Sequence, residues 1–288
     1  MKKISVAHSP DADDIFMYYA LKFGWVDVKD AEFSNIAEDI ETLNQATLKG
    51  VYDICAISFA LYPFVKDDYA LLKTAVSFGE GYGPKLIKKK GVKLKKNFKV
   101  ALSGEFTTNA LLFKIAYPDA RITYMNFLDI EKAVMNGVVD AGVLIHESIL
   151  TYSSSLEVER EIWDIWKELC ENEELPLPLG GMCLRRSIPL HDAIKYEKAL
   201  IKAVDVANKN RKTLAPMLLE KGLIRVDADT LDKYLDLYAN DNSVLLSPIQ
   251  YKALNKLFEL GYKNGFYTNL IKAEDFLIPQ EYEELRAR

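Results

Sequence analysis

GVVDAGVLIHE, residues 137–147 of the chain, joins a glycine and a long apolar run to His146 and Glu147. An apolar run of this length, bounded by glycine, predicts a strand that is buried on both faces, as in a parallel sheet. Open α/β sheets bind their ligands beyond the carboxyl ends of such strands. The pattern therefore predicts that His146 lies at the ligand-binding edge of the sheet, where it could take part in catalysis.

A second stretch, Gly50–Ser58, repeats this pattern of glycine, aspartate, apolar run and polar end. Each stretch follows a predicted helix that begins with the same tripeptide, Asp-Ile-Glu, at 39–41 and at 129–131. The chain thus contains two similar helix–strand units. We expect one unit in each half of a two-lobed α/β protein, with the two strand ends facing each other across a cleft.

The lobes are predicted from two candidate crossings. Seven of the twelve residues from Lys85 to Lys96 are lysines, a charge run typical of a solvated hairpin or crossover, and we place the first crossing just after it. The segment 175–184, LPLPLGGMCL, is the predicted return. The first lobe would comprise residues 1–97 plus 185–288, which end in helices, and the second lobe residues 98–184.

Other elements follow from local patterns, such as the capping residues before the first helix and Ser247-Pro248 at the start of a late one. Residues 149–174 are predicted to be helical or irregular. The predicted strands are 3–8, 31–36, 50–58, 69–77, 99–106, 121–124 and 137–147, and the predicted helices of the first 184 residues are 15–23, 38–49, 110–116 and 129–136.

Composition is that of an ordinary globular chain, with 288 residues, 49% hydrophobic and 27% charged. The net charge of −5 gives no reason to expect a nucleic-acid partner. No run approaches the roughly 20 apolar residues of a membrane span, so we expect no membrane insertion. The start of the chain shows no apolar signal stretch, and the odd number of cysteines suits a reducing compartment, so a cytoplasmic location is expected. The cysteines are Cys55, Cys170 and Cys183.

Histidine supplies the candidate base. His8 and His146 each end a predicted strand, so both are expected to face the cleft, whereas His191 precedes a polar helix and is expected at the surface. An imidazole titrates near neutrality, which suits proton abstraction. Neither the histidines nor the cysteines have the spacing of a metal site, so no metal is expected.

Small polar residues supply candidate ligand-binding groups. Ser103, Thr107 and Thr108 lie at the start of a predicted helix, where free N–H groups and hydroxyls could hold a carboxylate or a phosphate. Asp11, Asp13 and Asp14 could hold a cation, but helix capping explains them more simply.

Several of these motifs together resemble the 1,4-dihydroxy-6-naphthoate synthase family of the futalosine menaquinone pathway. The motifs are HSPDADDIF at 8–16, SFA at 58–60, the loop 79–84, Ser103 with Thr107-Thr108, LIHE at 144–147 and LPLPLGG at 175–181. The resemblance implies a type II periplasmic-binding-protein fold with a two-stranded hinge, and no cofactor or metal. It implies conversion of cyclic de-hypoxanthine futalosine to 1,4-dihydroxy-6-naphthoate with release of a dihydroxyacetone fragment.

The resemblance also assigns roles. His146 corresponds to the family's proposed base, and Ser58 and Thr107 to hydroxyls that line the pocket. Many members read SPCPNDTF near the start, whereas Asp11-Ala12-Asp13 stands here in place of Cys-Pro-Asn. Asp14 keeps the family pattern, and the role of the first loop is left open by this departure.

Two functional hypotheses result. In the first, a carbon–carbon lyase, His146 is the base, Glu147 or a backbone group orients the imidazole, and a small carboxylated substrate is bound by Ser58, Ser103, Thr107, Thr108, Asp14 and His8. In the second, the same fold and anion site serve a solute-binding protein that does no chemistry.

Overall fold

Within residues 1–171 and 173–279, which the computed structural model describes, the chain forms two β-sheets with helices packed on both. The strands are β1 (Lys2–His8), β2 (Ala31–Ala37), β3 (Ile54–Ser58), β4 (Tyr69–Leu71), β5 (Ser77–Gly79), β6 (Lys85–Lys89), β7 (Lys99–Leu102), β8 (Arg121–Tyr124), β9 (Ala141–Leu144), β10 (Leu156–Glu161) and β11 (Leu177–Arg185). The helices are α1 (Ala12–Lys22), α2 (Ile40–Leu48), α3 (Tyr62–Val65), α4 (Thr108–Ala116), α5 (Phe127–Met135), α6 (Ser148–Thr151), α7 (Ile162–Leu169), α8 (Leu190–Lys209), α9 (Arg211–Glu220), α10 (Ala228–Tyr238) and α11 (Pro248–Lys263).

The first sheet has the strand order β2-β1-β3-β11-β4, with β5 also paired to β11. Strand β1 runs parallel to β2 and β3, whereas β11 runs antiparallel to β3. All five side chains of β3 are buried, as its continuous apolar sequence predicted. We call this sheet, with α1, α2 and the helices α8 to α11, the first lobe.

The second sheet has the strand order β10-β6-β9-β7-β8. Strands β7 and β9 are parallel, with Ala101 opposite Gly142, and β6 and β10 are antiparallel additions. Strand β9 is buried along its whole length, which confirms the prediction for residues 141–144. We call this sheet, with α4, α5 and α7, the second lobe. The mixed α/β architecture of two sheets flanked by helices is the predicted one.

Capping residues set where the site-forming helices begin. Asp39 caps α2 and Thr107 caps α4, each by accepting from backbone N–H groups of the first turn. The second Asp-Ile-Glu tripeptide does not start a helix as predicted. Instead α5 begins at Phe127, because the side chain of Asn126 accepts from the N–H of Leu128.

The lysine-rich segment was placed wrongly. Residues Lys85–Lys89 form β6, a strand inside the second sheet, and not a solvated crossover of the first lobe. Leu86 and Ile87 are fully buried, while Lys88 pairs with the carboxylates of Glu157 and Glu159 on β10, at 3.5 Å and 2.5 Å. Cross-strand charge pairing therefore accommodates Lys88 in the sheet, while Lys85 donates to the carbonyl of Ile149 and Lys89 is exposed.

Three further differences concern strands. The predicted return segment is β11 of the first sheet, so the chain leaves the second lobe before Leu177. The predicted strand 69–77 is divided into β4 and β5, and Ala75 between them has a left-handed φ of 54° that interrupts the extended backbone. Residues 149–174 were predicted to be helical or irregular, and they do include α7 and most of α6. They also include β10, whose alternating apolar and charged residues fit a strand that the prediction missed. The remaining bounds of the two predicted lobes stay predictions.

The C-terminal helices complete the first lobe. Helix α8 packs on α1, and α10 packs on α1 and β5, so part of the cleft wall comes from the last third of the chain. No helix of residues 1–171 and 173–279 has the length and apolar character needed to cross a membrane.

Candidate active site

The carboxyl ends of four strands, β1 and β3 of the first sheet and β7 and β9 of the second, meet at one cavity between the lobes. The cavity holds about 710 Å³ of empty space, including its open mouth. Of the predicted site residues, five line it: Asp14, Ser58, Thr107, Thr108 and His146.

His146 lies two residues beyond the end of β9 and is held in a strained backbone conformation. Its φ is 53°, in the left-handed region that a residue with a side chain rarely adopts. The imidazole packs edge-on against the ring of Phe127, with 4.8 Å between the ring centroids. Strain of this kind persists only where the surroundings enforce it, and it aims the imidazole at the cavity.

Asp11 of the first lobe contacts His146 of the second. The Nδ1–H of His146 donates to Oδ2 of Asp11 over 2.5 Å; the Asp11 side chain is buried, and that of His146 is 15% exposed. Asp11 lies at the N-cap position of α1, but its side chain makes no capping hydrogen bond. Helix capping was therefore the wrong explanation for Asp11. Nε2 of His146 has no hydrogen-bond partner among the described residues, so it is free to act on a ligand.

Asp11 and His146 each shift the pKa of the other. Burial alone would lower the pKa of His146, but the charge and hydrogen bond of Asp11 outweigh it and raise that pKa above its ordinary value. Burial alone would raise the pKa of Asp11, yet the imidazolium charge and hydrogen bond hold it below its usual range. The arrangement resembles the orienting carboxylate of catalytic triads and makes His146 a stronger base.

Glu147 is buried, but it is not among the residues that line the cavity. Its Oε1 accepts from the backbone N–H of Ala12 at 2.9 Å, and its Oε2 lies 3.3 Å from the guanidinium of Arg225. Both partners belong to the first lobe. Glu147 therefore joins the two lobes beside the imidazole. We predicted that Glu147 orients the imidazole, but the carboxylate that contacts the imidazole is that of Asp11.

Ser58 ends β3 and faces the cavity with a hydroxyl that is still able to donate. Asn44 of α2 fixes it twice, because its Nδ2 donates to Ser58 Oγ at 3.2 Å and its Oδ1 accepts from Ser58 N–H at 3.0 Å. Since Oγ is an acceptor in this contact, its own proton remains available for a ligand.

Thr107 and Thr108 use their hydroxyls inside the protein. Thr107 Oγ1 lies 3.0 Å from the carbonyl of Gly104, and Thr108 Oγ1 donates to the carbonyl of Leu179 at 3.2 Å and accepts from the N–H of Ala60 at 3.3 Å. The threonines therefore shape the start of α4. The groups left to bind an anion there are the backbone N–H groups of Thr108 and Asn109, because those of Ala110 and Leu111 already donate to Thr107.

His8 and Ser103 are buried but are not among the residues that line the cavity. His8 Nδ1 lies 2.8 Å from the carbonyl oxygen of Ser9, and its ring packs against Tyr18 at 5.3 Å between centroids. Burial lowers the pKa of His8. Ser103 Oγ accepts from Asn109 at 3.5 Å and supports the loop before α4.

Asp13 and Asp14 lie beside Asp11, and one carboxylate oxygen from each of the three falls within 4.8 Å of the others. These oxygens could surround a cation. Each carboxyl already has a protein partner: Asp11 holds His146, Asp13 accepts from the hydroxyl of Ser77 at 3.3 Å, and Asp14 accepts from the N–H of Ser9 at 2.8 Å.

Sequence reasoning missed Asp11 as the partner of His146, and it missed Asn44 and Arg225. Polar residues before a helix are so often caps that Asp11 carried no distinctive signal. Asn44 is buried in the middle of α2, where a polar residue usually has a specific partner, and this could have been noticed. Arg225 lies between α9 and α10, in a region without a recognisable pattern.

The two lobes, with their site at the strand ends that border the cleft, define a protein of the periplasmic-binding-protein-like class. The periplasmic aliphatic sulphonate binding protein of Escherichia coli shares this fold, with a TM-score of 0.66 at 12% identity over 96% of this chain and 98% of that one. Residues 4–263 match the menaquinone biosynthesis family, and the chain belongs to that family.

Two curated relatives are named 1,4-dihydroxy-6-naphthoate synthase. The one from Streptomyces coelicolor is 30% identical over 269 residues, which cover 91% of this chain and 94% of the relative. The one from Thermus thermophilus is 31% identical over 72% of each chain. A crystal structure of a protein from Archaeoglobus fulgidus is also similar, with a TM-score of 0.84 and 34% identity over 91% of this chain and 98% of that one.

Proposed function

We propose that this protein is a 1,4-dihydroxy-6-naphthoate synthase, a carbon–carbon lyase of menaquinone biosynthesis. It would convert cyclic de-hypoxanthine futalosine to 1,4-dihydroxy-6-naphthoate and release a dihydroxyacetone fragment. Family membership and the names of the two curated relatives support this proposal. The observation that carries it is the pairing of His146 with Asp11 at a cavity, because a protein that only binds its ligand needs no activated base.

His146 removes a proton from the bound substrate through Nε2. Nδ1 keeps its proton and donates it to Asp11, which fixes the tautomer with the lone pair on Nε2. When Nε2 takes up the substrate proton, the imidazolium is stabilised by the carboxylate beside it. Elimination then leads to the aromatic naphthoate, whose stability drives the reaction.

The substrate carboxylate is held between the lobes. The first-turn N–H groups of α4 offer hydrogen bonds and the positive end of the helix dipole. The hydroxyl of Ser58, oriented by Asn44, donates from the opposite side. Thr107 and Thr108 act by positioning these N–H groups, since their own hydroxyls are engaged in the protein.

Lobe closure completes the site. Asp11 and His146 come from different lobes, and Glu147 ties the second lobe to the N–H of Ala12 in the first. Closing the cleft therefore assembles the base and excludes water from the reacting substrate in one movement. Exclusion of water also strengthens each electrostatic interaction inside the cavity.

The decisive experiment is to incubate the purified protein with cyclic de-hypoxanthine futalosine and to detect 1,4-dihydroxy-6-naphthoate by mass spectrometry. We expect product to accumulate in proportion to enzyme concentration. Absence of product, together with thermal stabilisation by a small carboxylate, would contradict the lyase and support a solute-binding protein.

We also propose that the protein works in the cytoplasm. The proposal is supported by its three cysteines, which are all free and buried and suit a reducing compartment. Fractionation of the source cells, followed by immunodetection, tests it. Recovery of the protein outside the cytoplasmic fraction would contradict this location.

A further inference from the structure

Asp13 is a second carboxyl group at the cavity, and the mechanism above does not use it. Its side chain lines the cavity although the residue is only 4% exposed. Oδ2 accepts a hydrogen bond of 3.3 Å from the hydroxyl of Ser77. Oδ1 is buried and has no hydrogen-bond partner among the described residues. A buried polar atom without a hydrogen-bond partner destabilises the folded protein. We therefore expect Oδ1 to contact a ligand or to carry a proton.

The charges around Asp13 are mostly negative. Asp11 and Asp14 flank it in sequence, and Glu147 approaches from the loop after β9. Among the described residues, the neighbour that can carry a positive charge is His146 of the same loop. The guanidinium of Arg225 forms an ion pair with the carboxylate of Glu147. The other titratable groups that feel its charge are the phenols of Tyr18 on α1, Tyr82 beside β5, and Tyr234 and Tyr238 on α10.

His146 cannot balance the carboxylates of Asp11, Asp13 and Asp14 together. It is neutral when it acts as the base, and when it carries the substrate proton it is committed to Asp11, at 2.5 Å. An ionised Asp13 would be a buried anion next to another anion, with one hydroxyl as its donor. Buried charges without a partner are avoided by taking up a proton.

We propose that Asp13 keeps its proton in the working enzyme and presents the O–H of its unpaired oxygen, Oδ1, to the substrate as a hydrogen-bond donor. Burial, reinforced by the charge of Asp11, raises the pKa of Asp13 well above its ordinary value, in agreement with this geometry. The inference rests on the proposed function, since it assigns Asp13 a role in the same reaction.

The role follows from the position of Asp13 at the same cavity as the base. When His146 removes a proton, negative charge develops on an oxygen of the substrate. A neutral carboxyl group can donate to that oxygen, whereas a carboxylate would repel it. A donor aimed at developing charge in a site shielded from water contributes about 100-fold to 1000-fold in kcat. Asp13, which keeps its proton, and His146, which accepts one, thus form an acid–base pair in the same cavity.

Two variants test the donor. Asp13→Ala removes it, and we expect kcat to fall about 100-fold or more with little change in KM. Asp13→Asn replaces the O–H by an amide N–H of the same shape, and we expect a loss of about tenfold or less. Circular dichroism and thermal melting establish that both variants are folded. Equal losses in two folded variants, or full activity of Asp13→Ala, would overturn the donor role.

The pH profile separates a protonated Asp13 from an ionised one. If Asp13 carries a proton, Asp13→Asn removes no charge, so the acidic limb set by His146 stays in place and the alkaline limb set by Asp13 disappears. If Asp13 is ionised, the substitution removes an anion near His146, whose pKa falls, and the acidic limb moves to lower pH. That second outcome would overturn the proposal.

A measurement without turnover separates this inference from the proposed function. Protein labelled with ¹³C at aspartate carboxyls is titrated by NMR, and the Asp13 signal is identified by its absence in Asp13→Asn. We expect that signal to remain that of a protonated carboxyl at pH 7. An ionised signal in an active enzyme defeats the inference alone, whereas a protonated signal in a protein that forms no naphthoate defeats the proposed function alone.

Discussion

Nδ1 of His146, which follows β9 in the second sheet, lies 2.5 Å from Oδ2 of Asp11, which follows β1 in the first. The chain thus brings together two residues from opposite lobes to make one catalytic unit. Neither sheet alone contains both parts. This relationship leads to the first two predictions.

Replacing His146 by glutamine should abolish most of the turnover. Glutamine keeps hydrogen-bonding capacity but is not basic, and general-base catalysis contributes about 100-fold to 10,000-fold. We expect a fall in kcat of at least about 100-fold in the assay for 1,4-dihydroxy-6-naphthoate. His191→Gln is the matched control, because the His191 side chain is 78% exposed. Wild-type turnover by His146→Gln would contradict the mechanism.

Replacing Asp11 by asparagine should move the pH profile. In the wild type, Asp11 raises the pKa of His146, so the neutral base forms only as the pH rises through that higher value. Without the carboxylate the pKa falls, and the acidic limb of kcat should shift to lower pH, while the maximal rate drops about tenfold or more. An unchanged acidic limb, measured over a full pH series, would show that Asp11 does not tune the imidazole.

Replacing Ser58 by alanine should weaken substrate binding more than catalysis. A hydrogen bond from this hydroxyl to a carboxylate contributes about 1.5–3 kcal/mol, which corresponds to an increase in KM of about tenfold to 100-fold. Steady-state kinetics measure the effect, with the exposed Ser154→Ala as control. A fall in kcat at constant KM would assign Ser58 to the chemical step instead.

Two substitutions of Glu147 should distinguish how much each of its two contacts contributes to stability. Glu147→Ala leaves the N–H of Ala12 without its acceptor, and we expect the free energy of unfolding to fall by about 1–3 kcal/mol in urea titrations. Glu147→Gln keeps an acceptor and loses only the charge that faces the partly exposed Arg225, so about 1 kcal/mol or less is expected. Equal losses would mean that the ion pair, and not the backbone contact, joins the lobes.

Much of the site could be predicted because strand ends follow simple rules. The apolar runs before Ser58 and His146 identified two buried strands, and parallel strands deliver their ends to one edge. Thr107 was predicted to lie at the start of a helix, and it caps α4. These predictions depend on patterns a few residues long.

Other features depend on contacts between distant segments. The lysine-rich sequence of β6 indicated a solvated segment, but Lys88 has acidic partners on β10, which is distant in sequence. The Asp-Ile-Glu tripeptide starts α2 but not α5, because Asn126 caps the second helix earlier. Asp11 had the sequence context of a cap, and only the fold brings His146 within its reach. Local sequence contains no information on such partners.

The crossing of the ion pair from lobe to lobe ties the strength of the base to the relative position of the lobes. If the lobes separate to release product, as proposed above, Asp11 loses contact with His146, and the imidazole loses the carboxylate that raises its pKa. The motion that admits a substrate would then also govern the basicity of the residue that acts on it.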